Sequence, residues 1–205
     1  MIRLGLLRHG ATAWNEERRI QGMTDLALSP AGRAQVARWR LPAEWLDRRW
    51  VTSPLARCRE TAAILAASHG RAVVAAVEPR LAEMRHGAWE GRRLADLRTE
   101  LGPAMAANEA RGLDYRAPGG ESPRELQQRL RPWLADVAAA GESILAIAHK
   151  GVIRALYAAA TGWDMAAKPR DRLADEALHC FRLARDGTLA IDRLNLPLRH
   201  EAPVP

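Results

Sequence analysis

The apolar positions of this chain fall into two kinds of segment. Short runs at Ile2 to Leu7, Trp50 to Thr52, Ala72 to Val77 and Ile144 to Ala148 have strand length and little polar interruption, the pattern of strands covered on both faces. Between them lie longer segments with helical character. Ser29-Pro30 supplies an N-cap and a first helical position for a helix running toward Arg40, and others span about Ala56 to Ser68, Ser122 or Pro123 to Ala139, and Gly151 to Ala160. Two late strands, Ala177 to Leu183 and Thr188 to Leu194, flank Asp186-Gly187, a hairpin turn signal. Alternating strands and helices predict an α/β fold, a three-layer α/β/α sandwich with a mostly parallel central sheet.

Two stretches depart from that rhythm. Gly10 to Leu28 reads as a polar loop. Residues 78–122 carry short helical pieces, Arg92 to Leu101 and Pro103 to Arg111, and a Pro118-Gly119-Gly120 loop, which predicts a small helical cap inserted over the sheet edge of a single 1–205 domain.

Composition narrows the function classes. No run of about 18 apolar residues could span a bilayer, and Arg3 interrupts the first apolar run, so a cytoplasmic protein with no membrane partner is expected. Cys58 and Cys180 are far apart and form no CxxC, which predicts buried spectator thiols and no metal site. The formal charge is +7, yet Lys150 and Lys168 are the only lysines. The arginines are scattered and stacking aromatics other than tryptophan are few, so no nucleic-acid partner is expected; a positive field favours small anionic substrates. Trp39, Trp45, Trp50, Trp133 and Trp163 are available for the core or for a homodimer interface.

Candidate chemistry gathers where the strand-like runs end. The first delivers Arg8-His9-Gly10, the second Ser53-Pro54-Leu55-Ala56-Arg57, and the fourth His149. Three separated segments thereby bring imidazole or guanidinium groups to one sheet edge, where open α/β sheets bind ligands. Phosphate chemistry is the first reading, but its usual signatures are missing: there is no Gly-Lys pair for a P-loop, no Asp-x-Asp, no cysteine followed six positions on by arginine, and no HExxH. A metal-free histidine nucleophile is what remains. On pattern alone Glu83 reads equally as an acid–base group or as a solvated loop carboxylate.

Leu7 to Asn15, Ser53 to Thr61, Glu83 to Gly91 and Ala148 to Val152 resemble, in order and spacing, the four motif blocks of the histidine phosphatase superfamily, over roughly residues 3 to 160. The resemblance implies that His9 attacks phosphorus and that Arg8, Arg57, Asn15 and His149 cradle the phosphoryl group. It implies that Glu83 supplies and recovers the proton, and that no cofactor is needed. By motif position Gln21, Gly22 and Lys150 line the phosphate end, and His86 and Gly151 join them as substrate-binding positions. Arg59, Arg85, Glu90 and Glu121 are left to salt bridges or loop capping, Thr61 and Trp89 to packing or to holding the motif loops in place, and His69, His179 and His200 to structural or exposed roles.

Within that family the mutases carry tyrosine three residues after the glutamate and asparagine two residues after the second histidine. This chain has His86 and Gly151 there, with a short cap, and Glu83 to Gly91 with Pro118 to Ser122 is similar to the branch that includes α-ribazole phosphatases. The expected activity is metal-independent hydrolysis of a small phosphorylated metabolite. The alternatives are a cofactor-dependent phosphoglycerate mutase and a non-catalytic phosphate-binding or scaffold protein.

Overall fold

The computed structural model describes residues 2–72 and 74–200. Strand β1 (Ile2–Arg8) is followed by a one-turn helix α1 (Ala13–Glu16), helix α2 (Pro30–Arg38), strands β2 (Trp39–Arg40) and β3 (Arg49–Thr52), helix α3 (Ala56–Ser68) and strand β4 (Ala76–Val77). Helices α4 (Leu94–Glu109) and α5 (Pro123–Ala140), strand β5 (Ile144–Ala148), helix α6 (Lys150–Thr161), and strands β6 (Ala177–Leu183), β7 (Leu189–Pro197) and β8 (Arg199–His200) complete the order.

Six strands form one sheet in the order β4-β3-β5-β1-β6-β7. The β4, β3, β5 and β1 strands pair in parallel and β6 runs antiparallel to both β1 and β7, so the sheet is mostly parallel, as the alternation predicts. The unbroken apolar character of its centre has a direct cause. In β5, Ile144, Ala146 and Ala148 pack toward α5 and α6, while Leu145 and Ile147 pack toward α3 and the tryptophans Trp39, Trp45 and Trp50. Both faces are covered, giving the three layers.

Several local expectations change. The loop from Gly10 contains α1, made possible by Thr12, whose hydroxyl accepts from the Asn15 amide while the Asn15 side chain accepts from the Thr12 amide, a reciprocal cap. The helix expected to reach Arg40 stops at Arg38, because Trp39 and Arg40 turn extended and pair with β8. The strand expected over Ala72 to Val77 is reduced to Ala76–Val77; Val73 lies outside the described residues, and Val74 is 93% exposed, so this apolar run is a sheet margin rather than a core strand. The two cap pieces form α4 with a break at Gly102 (φ 47°), just before Pro103. The late hairpin closes at Asp186-Gly187 with Gly187 at φ 84°, and β7 extends to Pro197. Trp39, Trp45, Trp50 and Trp133 are buried in the two cores.

The segment at 78–122 builds a small core of its own from Trp89, Leu97, Met105 and Ala117. It stands beside the carboxyl ends of the parallel strands, with Glu83 reaching the first turn of α6. Among the described residues no helix is long and apolar enough to cross a membrane.

Candidate active site

Adjacent strands deliver the two motif histidines. The β1 ladder continues past its end through the His9 amide, which donates to the Ala148 carbonyl at 3.1 Å, and the Ser53 amide likewise donates to the Ile147 carbonyl at 3.0 Å. The carboxyl ends of β1, β5 and β3 are thus tied into one rigid ledge. Around it lies a cavity of about 660 Å³. Its wall includes Arg8, His9, Asn15, Gln21, Gly22, Arg57, Glu83, His86, Lys150 and Gly151. The wall therefore carries every candidate catalytic and substrate-binding residue except His149, which lies behind it.

The tautomer of His9 follows from its contact. Nδ1 lies 2.7 Å from the Gly10 carbonyl, which can only accept, so Nδ1 carries the hydrogen and Nε2 keeps its lone pair. Burial, reinforced by the charges of Arg8 and Arg57, holds the His9 pKa well below the ordinary histidine value. His149 is fully buried and stands behind His9 with ring centroids 5.2 Å apart at 61°. Its Nε2 meets the Ser53 hydroxyl at 2.7 Å and the Cys58 thiol at 3.4 Å, and desolvation lowers its pKa too. Cys58 is a spectator thiol that donates to the Ala148 carbonyl, its ionisation pushed far up by burial.

Arg57 is fully buried and is aimed by the loop before α2, donating to the Gly22 carbonyl at 2.8 Å and the Thr24 carbonyl at 2.9 Å, with its Nε unpartnered. That loop is itself fixed by Glu90, which accepts from the amides of Met23, Thr24 and His86 and from the Thr24 hydroxyl. Gly22 sits at φ 54°, and a Cβ there would strike the Glu90 carboxylate at 2.1 Å, so only glycine lets the two loops meet. Thr61 accepts from the Gly10 amide and donates to the Arg57 carbonyl, locking the first motif to the second. Gln21 turns a buried, unpartnered Oε1 into this region.

Glu83 faces His9's ledge from the cap side. Its Oε1 accepts from the Met84 amide at 2.9 Å and its Oε2 from the Gly151 amide at 3.2 Å. The backbone beneath it is gripped by Arg129 of α5, which donates to the carbonyls of Arg80, Ala82 and Glu83 and to both oxygens of the buried Glu121. Glu121 in turn accepts from the Arg85 amide. The loop-capping reading of Glu90 and Glu121 describes their contacts.

Sequence reasoning missed Arg129 and Asp175. Arg129 falls on a helix with no motif near it. Asp175 pairs with Arg8 at 2.8 Å and with Lys150 at 3.2 Å, its own pKa held down by those two cations against the opposing effect of burial. It belongs to the irregular segment between α6 and β6, where no periodicity marks it. That segment also supplies Met165 to Pro169 to the cavity wall. His69 accepts from the Leu41 amide and His179 contacts the Ala174 carbonyl, both structural; the His200 side chain lies outside the described residues.

A mostly parallel α/β sheet thus brings two histidines, two arginines and a carboxylate together at its carboxyl edge. The sequence profile of the histidine phosphatase superfamily, branch 1, matches residues 4–196, and the chain belongs to that family. It is 34% identical over 186 residues to phosphoglycerate mutase-like protein 4 of Arabidopsis thaliana, covering 87% of this chain and 78% of that one. A probable phosphoglycerate mutase of Klebsiella pneumoniae is 35% identical over 177 residues, covering 84% and 81%. The mycobacterial glucosyl-3-phosphoglycerate phosphatase, solved with VO3 bound, superposes with a TM-score of 0.77 at 27% identity over 96% of this chain and 100% of that one. The α-ribazole phosphatase of Shigella flexneri shares the fold, with a TM-score of 0.77 at 22% identity over 98% and 100%.

Proposed function

We propose that this protein is a metal-independent phosphomonoesterase that hydrolyses a small phosphorylated metabolite through a phosphohistidine on His9. The observation that carries the reading is the His9–Gly10 contact: it leaves Nε2 unprotonated on a side chain that lines a cationic cavity. In the first step the Nε2 lone pair forms a bond to phosphorus as the ester P–O bond breaks, and the departing alkoxide takes a proton from Glu83. In the second, Glu83 as carboxylate takes a proton from water, the water oxygen bonds to phosphorus, and the N–P bond breaks to release inorganic phosphate. Arg8 and Arg57 neutralise the equatorial oxygens, with Asn15, Gln21 and Lys150 beside them; a fork of N–H donors does here what a metal does in other phosphoryl transfers. His149 supports the ring of His9 from behind. The phosphatase names among the structural neighbours favour hydrolysis. Against the mutase alternative stand His86 and Gly151, at the positions where the family's mutases carry tyrosine and asparagine.

The test is inorganic phosphate release from a panel of phosphomonoesters in EDTA, with His9→Ala as control. Release by the wild type, lost by orders of magnitude in the variant and with no isomerised product from 3-phosphoglycerate, is the expected outcome. Interconversion of 3- and 2-phosphoglycerate primed by a bisphosphate would establish the mutase instead. Binding of phosphate esters with no turnover would establish a binding protein.

A further inference from the structure

Of the three cations that the motifs bring to the phosphate end, two share one carboxylate. Arg57 is anchored by the neutral carbonyls of Gly22 and Thr24 and keeps its full charge. Arg8, through Nη1, and Lys150, through Nζ, both reach Asp175, at 2.8 and 3.2 Å. Asp175 is not on the wall of the large cavity; it faces the two cations from an adjoining crevice that also holds Ile153, Leu173 and His179. The pairing takes charge without taking every donor. The Nε of Arg8 is buried and unpartnered, as is that of Arg57, so each guanidinium still has an N–H to offer an oxyanion.

The carboxylate is also kept from following its partners into the cavity. The Ala174 amide donates to the Asn195 side-chain oxygen at 2.8 Å, the Asn195 side-chain amide donates to the Arg172 carbonyl at 2.7 Å, and the Ala174 carbonyl accepts from His179 Nε2 at 3.0 Å. Asn195 itself stands at φ 55°, the left-handed region that asparagine tolerates better than most residues. The backbone just before Asp175 is thus tied to β6 and β7, to the sheet and not to the cap. A dianion gripped by two guanidiniums and an ammonium in a partly desolvated cavity is held tightly whether it is substrate or product. Binding shared by the ground state and the transition state does nothing for the rate of the chemical step.

We infer that Asp175 limits how tightly this site holds phosphate: from outside the cavity it draws off part of the charge of Arg8 and Lys150, so that inorganic phosphate formed there can leave. The release step rests on the phosphatase reading, but phosphate affinity is measured without turnover. The sign of the effect separates this role from a structural one. Removing a carboxylate that only aimed Arg8 and Lys150 would weaken phosphate binding, whereas removing one that attenuates them strengthens it.

Calorimetric titration with inorganic phosphate in EDTA tests this on the wild type, Asp175→Asn and Asp47→Asn. The first variant keeps an oxygen to accept from Arg8 and loses the charge. Asp47 is 92% exposed, pairs with Arg71 and lies with Arg49 and Ser143 at the amino end of the sheet, so its variant makes the same change in net charge far from the cavity. At about 0.15 M salt Asp175→Asn should bind phosphate about 3–10-fold more tightly than the wild type. The inhibition constant of phosphate in turnover should fall in step, with kcat/KM not reduced, and Asp47→Asn should bind as the wild type does. If Asp175→Asn does not fold, Asp175→Ala carries the same loss of charge and the same expected sign. Unchanged or weaker phosphate binding overturns the inference, as does a gain equalled by Asp47→Asn, which would be an effect of net charge. Phosphate release from esters with equal affinities in wild type and variant would sustain the phosphatase and remove this role. Tighter binding in the variant with no release from any ester would keep the role and remove the phosphatase.

Discussion

A carboxylic acid earns its place in phosphoryl transfer only when the leaving group needs a proton, and that property separates chemistry from electrostatics at Glu83. An alkyl ester departs as a strong base, whereas p-nitrophenol departs without help. Glu83→Gln keeps the hydrogen bond from Gly151 while removing the titrating proton, so turnover of alkyl phosphates should fall about 10²–10⁴-fold and p-nitrophenyl phosphate much less at the first step. A burst of p-nitrophenol followed by slow turnover is the expected trace, because hydrolysis of the phosphohistidine still needs the base. The buried histidines carry a second prediction. Desolvation lowers the folded-state pKa of His9, His86, His149 and His179, while the unfolded chain titrates near 6.5. For a base, a lowered folded pKa means that the unfolded state takes the proton first. Stability is therefore full above about pH 6.5 and falls as the pH drops below it, by about 1.4 kcal/mol per pH unit for each histidine that stays neutral in the fold. Thermal unfolding should shift to lower temperature between pH 7.5 and 5.5, and His149→Asn should flatten that slope. A midpoint that does not move would show that the fold admits the protons.

At the scale of elements, the first turn of α6 has two duties, and Gly151 separates them. A Cβ at this position would lie 2.3 Å from Glu83 Oε1, the far end of a movable side chain, so the carboxylate would swing aside and the helix would stand. Ala is the better helix former by up to about 1 kcal/mol. Gly151→Ala should therefore unfold no earlier than the wild type while kcat falls at least about tenfold, since a displaced acid misses the leaving oxygen. Paired denaturation and kinetic measurements check this; unchanged kcat would take Glu83 out of the reaction. The elements themselves were largely legible, because parallel strands buried on both faces leave unbroken apolar runs and because Ser29-Pro30 and Ser122-Pro123 announce their helices. The Ala72 to Val77 run misled for a physical reason: apolarity there serves a sheet edge, and composition does not distinguish an edge from a centre. The candidate site was legible wherever a strand ended in a charged or imidazole side chain. Arg129 and Asp175 were not, since a guanidinium gripping three carbonyls and a carboxylate shared by two cations are made by tertiary approach, which leaves no local spacing to read.

Across the whole molecule, the net charge of +7 and the cationic cavity act together on anything anionic that approaches. Several of the surface arginines are paired with carboxylates, so the long-range field is the surplus, while at short range the cavity presents Arg8, Arg57, Arg154, Lys150 and Lys168 against few acids. The range of that surplus is set by the solvent. At about 10 mM salt the Debye length is about 30 Å and the whole surface contributes; at about 0.15 M it is about 8 Å and only the cavity's own groups do. Steering acts on encounter, so kcat/KM for a phosphate ester should fall several-fold between those salt concentrations while kcat holds. A two-anion substrate should show the steeper dependence, because its attraction scales with its charge. Equal declines in kcat and kcat/KM would instead place the salt effect on the phosphoryl step, where Arg8 divides its charge between the substrate and Asp175.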